Sequence, residues 1–170
     1  MLTRYLAIAL FLGLSQAGRS HILFFVTSDC PISNFYSADI QALCAAYRPR
    51  NVACTLVYED VGIDDVGVRK HVEEYGYRSM STRIDRDRST ARRVGATITP
   101  QAVLVVDGEV KYRGRIDNRY EAFGKPRRVV TAHDLRDALD AALAGRPVPN
   151  PETPALGCAI VPPDLLRKEP

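Results

Sequence analysis

The chain has no tryptophan, only two methionines, four cysteines and three histidines among its 170 residues. It also lacks any strong charge excess. A formal charge of +3 is too small for a protein that works by neutralising phosphates, and its mostly arginine cations are scattered among acids as on a solvated surface. No nucleic-acid partner is expected. Internal repeats and low-complexity segments are absent, which excludes solenoids and polar arrays. Long hydrophobic runs are missing too: the apolar stretch from Tyr5 to Leu14 falls well short of the about 20 residues that cross a bilayer.

What is present fits one soluble domain, with 46% hydrophobic and 25% charged residues around a single core. Residues 1–17 read as a signal peptide: Arg4 gives the positive start, Tyr5 to Leu14 the apolar centre, and Ser15-Gln16-Ala17 a cleavage site before Gly18. No cysteine follows that site, so lipid anchoring there is not expected. The mature chain is expected to be periplasmic or secreted and not membrane-spanning, in a compartment that permits disulfides.

The central stretch is Phe24-Phe25-Val26-Thr27-Ser28-Asp29-Cys30-Pro31-Ile32-Ser33-Asn34. An apolar strand stops at a polar turn, delivers a cysteine, and enters a helix through proline, which suits the first helical position. Unpaired N–H groups and the positive end of the helix dipole favour thiolate at such a junction. The neighbouring Asp29 opposes it.

Downstream, Ile32, Tyr36, Ile40, Leu43, Cys44 and Tyr47 recur at helical steps, predicting one helix over 32–47. Asn51 to Tyr58 predicts a strand covered on both faces. Asp64 caps a helix to about Tyr75 with Val66, Val72 and Tyr75 inward, and Gly76 lies just past it. Arg78 to Asp85 is a weaker strand, and Asp87 caps a short helix to Val94 that ends at Gly95. Strands at 102–106 and 109–113 joined by Asp107-Gly108 predict a hairpin. Residues 115–130 read as a surface loop. Thr131 and Asp134 form a capping box for a helix that carries Leu135, Ala138, Leu139, Ala142 and Leu143 inward and closes at Gly145. A proline-rich tail over 146–170 carries Cys158. Cys44 and Cys54 read as small hydrophobes of the core. This order predicts an α/β fold, a central mixed sheet flanked by helices on both faces.

On Cys30 at a strand-to-helix junction, Thr99-Pro100 leading into a strand, and the Asp107-Gly108 hairpin, residues 22–145 resemble the thioredoxin-like superfamily. The likeness is to redoxin domains related to peroxiredoxins and periplasmic thioredoxins. It implies a cis Pro100 against the active sulfur, with Thr99, Pro100 and Pro31 shaping the substrate groove. The chain departs from thioredoxins at Cys30-Pro31-Ile32-Ser33, where serine stands in place of the resolving thiol, and at Asp29, where tryptophan is common. A dithiol cycle within that motif is excluded. Redoxin domains of this kind often end in a Gly-Cys segment after Val-Pro-x-Pro, here Val148-Pro149-Asn150-Pro151 and Gly157-Cys158. Cys158 is accordingly expected to resolve Cys30 or pair with it, an exposed thiol or a link between two chains being the alternatives.

The resemblance therefore implies a thiol-disulfide oxidoreductase with catalytic Cys30 and Cys158, acting on protein thiols or disulfides and reduced by a thioredoxin-type partner, without a cofactor. Three other readings stay open. A thiol peroxidase would use Thr27 and Arg115 to polarise a hydroperoxide, although Leu23 stands where peroxiredoxins have proline. A copper-assembly protein of the Sco type would bind Cu(I) through Cys30, Cys158 and one of His21, His71 or His133, although Asn34 occupies the second cysteine position. His71 and His133 read as solvated surface residues, and no metal ligand set is assigned. A binding domain without turnover would use the loop from Tyr112 to Phe123 on an acidic partner.

Overall fold

Five strands form the central sheet of the computed structural model, which describes residues 19–162 and 164–165. The expected signal peptide lies outside the described residues. In chain order the elements are β1 (Ser20–Val26), α1 (Pro31–Phe35), α2 (Ser37–Tyr47), β2 (Val52–Tyr58), α3 (Asp65–Glu74), β3 (Ser81–Ile84), α4 (Ser89–Val94) and β4 (Ile98–Thr99). They continue as β5 (Gln101–Val106), β6 (Glu109–Gly114), β7 (Tyr120–Ala122), β8 (Lys125–Pro126), α5 (Asp134–Leu143) and β9 (Cys158–Ala159).

The sheet order is β3-β2-β1-β5-β6. β1 pairs parallel with β2 and β2 with β3, while β5 runs antiparallel to both β1 and β6. The mixed sheet is thus as expected. Its apolar runs are long because both faces are covered. Ile22, Phe24 and Val26 face a core shared with Ile40 and Leu43 of α2 and Leu135 and Leu139 of α5. Phe25 faces the other way, with Val57 and Val103, onto Ala91 and Val94 of α4. Each such side chain contributes about 1.5–3 kcal/mol on full burial. Asp107 and Gly108 turn the β5–β6 hairpin with φ of 51° and 85°, the left-handed pair its tight turn requires.

Several local readings are corrected. The helix over 32–47 is two helices, broken at Tyr36, whose φ of −79° and ψ of 1° stay close enough to helical that the apolar period continues across the break. Cys44 and Cys54 are joined in a disulfide that ties α2 to β2. Val66 is exposed, and α3 buries Val68 and His71 instead; Asp64 caps it as expected, accepting from the Gly67 N–H. The start of α4 is bonded by Asp85, which accepts from the N–H groups of Thr90 and Ala91, whereas Asp87 reaches only Ser89. Thr131 accepts from the Asn118 amide rather than capping α5, which begins after His133 with no side-chain cap. The 115–130 region holds the small β7–β8 hairpin, with Ile116 and Asp117 buried.

The tail is seated on the domain. Thr153 is buried and its N–H donates to the Arg113 carbonyl, while the Arg113 N–H donates to the Pro151 carbonyl. The Thr153 hydroxyl meets the Tyr112 hydroxyl at 2.6 Å and accepts from the Arg115 N–H at 3.2 Å. Beyond it, β9 pairs antiparallel with β4, Cys158 opposite Thr99 and Ala159 opposite Ile98.

Candidate active site

Cys30 sits where β1 delivers the chain into α1. A turn bonds its N–H to the Thr27 carbonyl at 3.2 Å, and its own carbonyl accepts from the Asn34 N–H at 3.0 Å. Pro31 occupies the first turn of α1, as expected. The Ser28 N–H donates to Asp60 at 2.8 Å and the Ser28 hydroxyl bonds the same oxygen.

A buried chain of hydrogen bonds braces this turn from α3. The Asn34 amide donates to the Ser28 carbonyl at 2.8 Å, which leaves its Oδ1 facing His71 Nε2 at 2.9 Å. An amide oxygen accepts, so Nε2 carries the proton and Nδ1 accepts from the Tyr58 hydroxyl at 2.8 Å. Burial lowers the pKa of His71, consistent with this neutral form. His71 is therefore a buried bracing residue and not the solvated one its acidic neighbours in sequence suggest.

Cys30 is 1% exposed. The Cys158 thiol lies 3.1 Å from its sulfur, in position to donate to it, and the Thr99 carbonyl lies 3.4 Å away. The Thr99–Pro100 peptide is cis, as the resemblance implies. Burial alone pushes the Cys30 thiol up, but hydrogen bonding from Cys158, the Ser33 hydroxyl and the N–H groups of Ser33 and Ile32 outweighs it, and the net shift is downward. The Ser33 hydroxyl forms no complete hydrogen bond, so its pull is weaker than that of Cys158. Cys158 moves the opposite way, up to about 11, through burial, its bond to Cys30, and the charges of Cys30 and Asp29. The opposition expected of Asp29 thus falls on Cys158.

The pair is set up asymmetrically: its surroundings favour the negative charge on Cys30 and the proton on Cys158. An anionic sulfur with a second sulfur in contact can attack an electrophilic sulfur or oxygen and then be attacked in turn.

The other expected residues are placed less directly. The Thr27 hydroxyl faces that of Thr99 at 3.4 Å, and the Thr99 hydroxyl donates to the Cys158 carbonyl at 3.4 Å. Arg115 is held by Asp134, with Nε 2.7 Å from the carboxylate; it lines a small cavity with Tyr36, Pro100, Asp117 and Leu156. Arg113 and Arg119 are likewise paired, with Glu152 and Asp39. None of the three is among the groups that shift Cys30. Among the described residues, no three of His, Cys, Asp or Glu are grouped as a metal would need. His21 bonds Thr55 and His133 precedes α5.

Neither a protein-family model nor a curated protein matches the chain. Solved structures do. A hypothetical protein from Sinorhizobium meliloti 1021 is 25% identical, with a TM-score of 0.72 over 85% of this chain and 80% of its own. An uncharacterized conserved protein from Geobacillus kaustophilus is 27% identical, with a TM-score of 0.73 over 84% and 77%. A secreted Mycobacterium tuberculosis disulfide oxidoreductase homologous to E. coli DsbE is 18% identical, with a TM-score of 0.50 over 75% and 82%. The fold is thioredoxin-like.

Proposed function

We propose that this thioredoxin-like chain is a thiol-disulfide oxidoreductase in which Cys30 is the nucleophile and Cys158 the resolving thiol. The observation that carries the reading is the contact of the two sulfurs, 3.1 Å apart and shifted in opposite directions.

The Cys30 thiolate attacks one sulfur of a partner disulfide. That S–S bond breaks, the other partner sulfur leaves as thiolate, and a mixed disulfide to Cys30 remains. Forming it removes the negative charge on Cys30 and the acceptor for the Cys158 thiol, two of the causes that hold Cys158 protonated. Cys158 then gives up its proton and attacks Cys30. The mixed disulfide breaks, the second partner thiol departs, and a Cys30–Cys158 disulfide is left. The partner has gained two electrons and two protons, one from Cys158 and one from water, and a thioredoxin-type reductant returns the protein to its starting state. Thr99, Pro100 and Pro31 shape the groove around the sulfur.

A peroxide substrate is the second reading, and the near-complete burial of Cys30 favours it, since a hydroperoxide is small. The thiolate would take one oxygen, releasing alcohol or water, and Cys158 would condense with the sulfenic acid to expel water. Ranked against it are Arg115, already engaged by Asp134, and Thr27, whose hydroxyl faces Thr99. A periplasmic or secreted site is proposed for either chemistry, supported by the Cys44–Cys54 disulfide and the signal-like residues 1–17.

The test is a non-reducing peptide map of protein purified from an oxidising compartment, together with Cys158→Ser. The reading expects a Cys30–Cys158 linked peptide, and a mixed disulfide at Cys30 that persists in C158S. A free Cys30 in oxidised protein would overturn it.

A further inference from the structure

Arg88 is one of the most enclosed charged side chains in the structure, 2% exposed beside a fully buried Glu59. Its backbone is left-handed, with φ of 58°. Burying a guanidinium and a carboxylate is costly, and their attraction returns that cost only with good geometry and full hydrogen bonding. Here Nη2 has no partner and Nε lies 3.3 Å from Glu59. Nothing in the thiol chemistry uses this group.

Two of its contacts lie within the domain: Glu59 follows β2, and the Asp85 carbonyl accepts from Nη1 at 2.8 Å. The third reaches the tail. Nε donates to the carbonyl of Val161 at 3.2 Å, three residues beyond Cys158. Next to it the Ile160 N–H donates to the Thr97 carbonyl at 2.9 Å, and the Ile160 side chain packs on the Phe25–Val57–Ala91 cluster. Thr153 holds the other end, so residues 154–161 are a strap fastened on both sides of Cys158. The strand between is short: β9 contributes two paired residues, and so small a ladder does not fix a side chain by itself.

We propose that Arg88 is a positioning residue for Cys158. With Ile160 it fastens the far end of the strap, which holds the Cys158 sulfur against Cys30 and closes Cys30 to large reagents. This rests on the reading of Cys158 as the resolving thiol. Reacting groups must be held to within a fraction of an ångström, and a rigid, buried cation bonded to a tail carbonyl supplies a fixed point that two bridge pairs do not. The buried charge is thereby explained by placement rather than by stability.

The test uses the full chain and its variants Arg88→Met, Arg88→Lys and Ile160→Asp in glutathione buffers. Oxidised glutathione takes two electrons from the Cys30–Cys158 pair and leaves as two thiols, so the buffer reports how readily the pair closes. The second readout is the rate at which reduced Cys30 reacts with a polyethylene-glycol maleimide. R88M is expected to weaken closure and speed labelling by about ten-fold each, the effect of losing one charge-assisted hydrogen bond. R88K, which keeps a donor, is expected to fall between R88M and the parent. I160D, which keeps Arg88 and removes the apolar anchor beside it, is expected to move both readouts in the same direction. A folded R88M with both readouts within about two-fold of the parent would overturn the proposal, and R88K, judged by the same limit, decides should R88M not fold. If the parent never closes the pair, the resolving role of Cys158 falls, and the labelling rate alone then decides whether Arg88 fastens the strap.

Discussion

The sulfurs of Cys30 and Cys158 lie 3.1 Å apart across 128 residues of chain. The contact is asymmetric: hydrogen bonding, Cys158 foremost, lowers Cys30 against the effect of its burial, while burial and the anion beside it raise Cys158.

Alkylation of reduced Cys30 as a function of pH should therefore show a midpoint below the ordinary thiol range. Cys158→Ala removes the largest of the lowering influences, so its midpoint should move up, with Cys158→Ser recovering part of the shift through its hydroxyl. An unchanged midpoint in C158A would show that the N–H groups of Ile32 and Ser33 suffice.

Gly157 precedes Cys158 because nothing larger fits: a Cβ there would stand 1.9 Å from the Thr99 carbonyl oxygen and 2.7 Å from its carbon. These are backbone atoms and cannot swing away. Gly157→Ala should lift the strap, suppress the Cys30–Cys158 disulfide and expose Cys30, while leaving the sheet intact. A non-reducing peptide map and circular dichroism check it, and a full yield of the linked peptide would contradict the placement of Cys158.

Much of the scaffold could be read from residue pattern, and the reasons for the misses are particular. The apolar run of β1 and the helical steps of α5 report burial directly, because the pattern and the packing are the same fact. Cys44 and Cys54 were indistinguishable from core hydrophobes, since an apolar helix face and an apolar strand both accept a small sulfur. Their pairing depends on how α2 lies on β2. His71 was hidden by its acidic neighbours in sequence, which are not its neighbours in space; Asn34 and Tyr58 are. Arg88 carries no signal, because its bond to the tail depends on a carbonyl 73 residues away. The tail cysteine was legible only through resemblance, and its seat through the β4–β9 pairing.

The Cys44–Cys54 disulfide spans a sequence separation of 10, and closing such a loop removes chain entropy worth about 2–3 kcal/mol. The double variant Cys44→Ala, Cys54→Ala should lose that much in urea unfolding and keep Cys30 alkylation unchanged. Loss of thiol chemistry in the folded double variant would assign this second pair a part in the reaction.

Glu59 carries its own pH signature. Burial, with the charge of Asp85, pushes its pKa from 4.5 to about 8 against the pull of Arg88. Between those values the folded protein holds a proton that the unfolded chain has released. Stability should therefore fall as pH rises through this window, by up to about 1.4 kcal/mol per pH unit, and level off above it. Glu59→Gln mimics the protonated acid, so its advantage over the parent should grow from pH 5 to pH 8.5 in urea titrations. A constant difference across that range would mean that Glu59 is ionised throughout.

The anchor at Thr153 has a kinetic meaning. Buried and bonded to Tyr112 and Arg115, it stays in place when the far end of the strap opens, so Cys158 swings on a leash of five residues, at most about 17 Å when fully extended. A partner that lifts the strap to reach Cys30 never sends the Cys158 sulfur into bulk solvent. Its return is an intramolecular event with a high effective concentration, and the lifetime of any mixed disulfide is set by how soon the partner yields the groove.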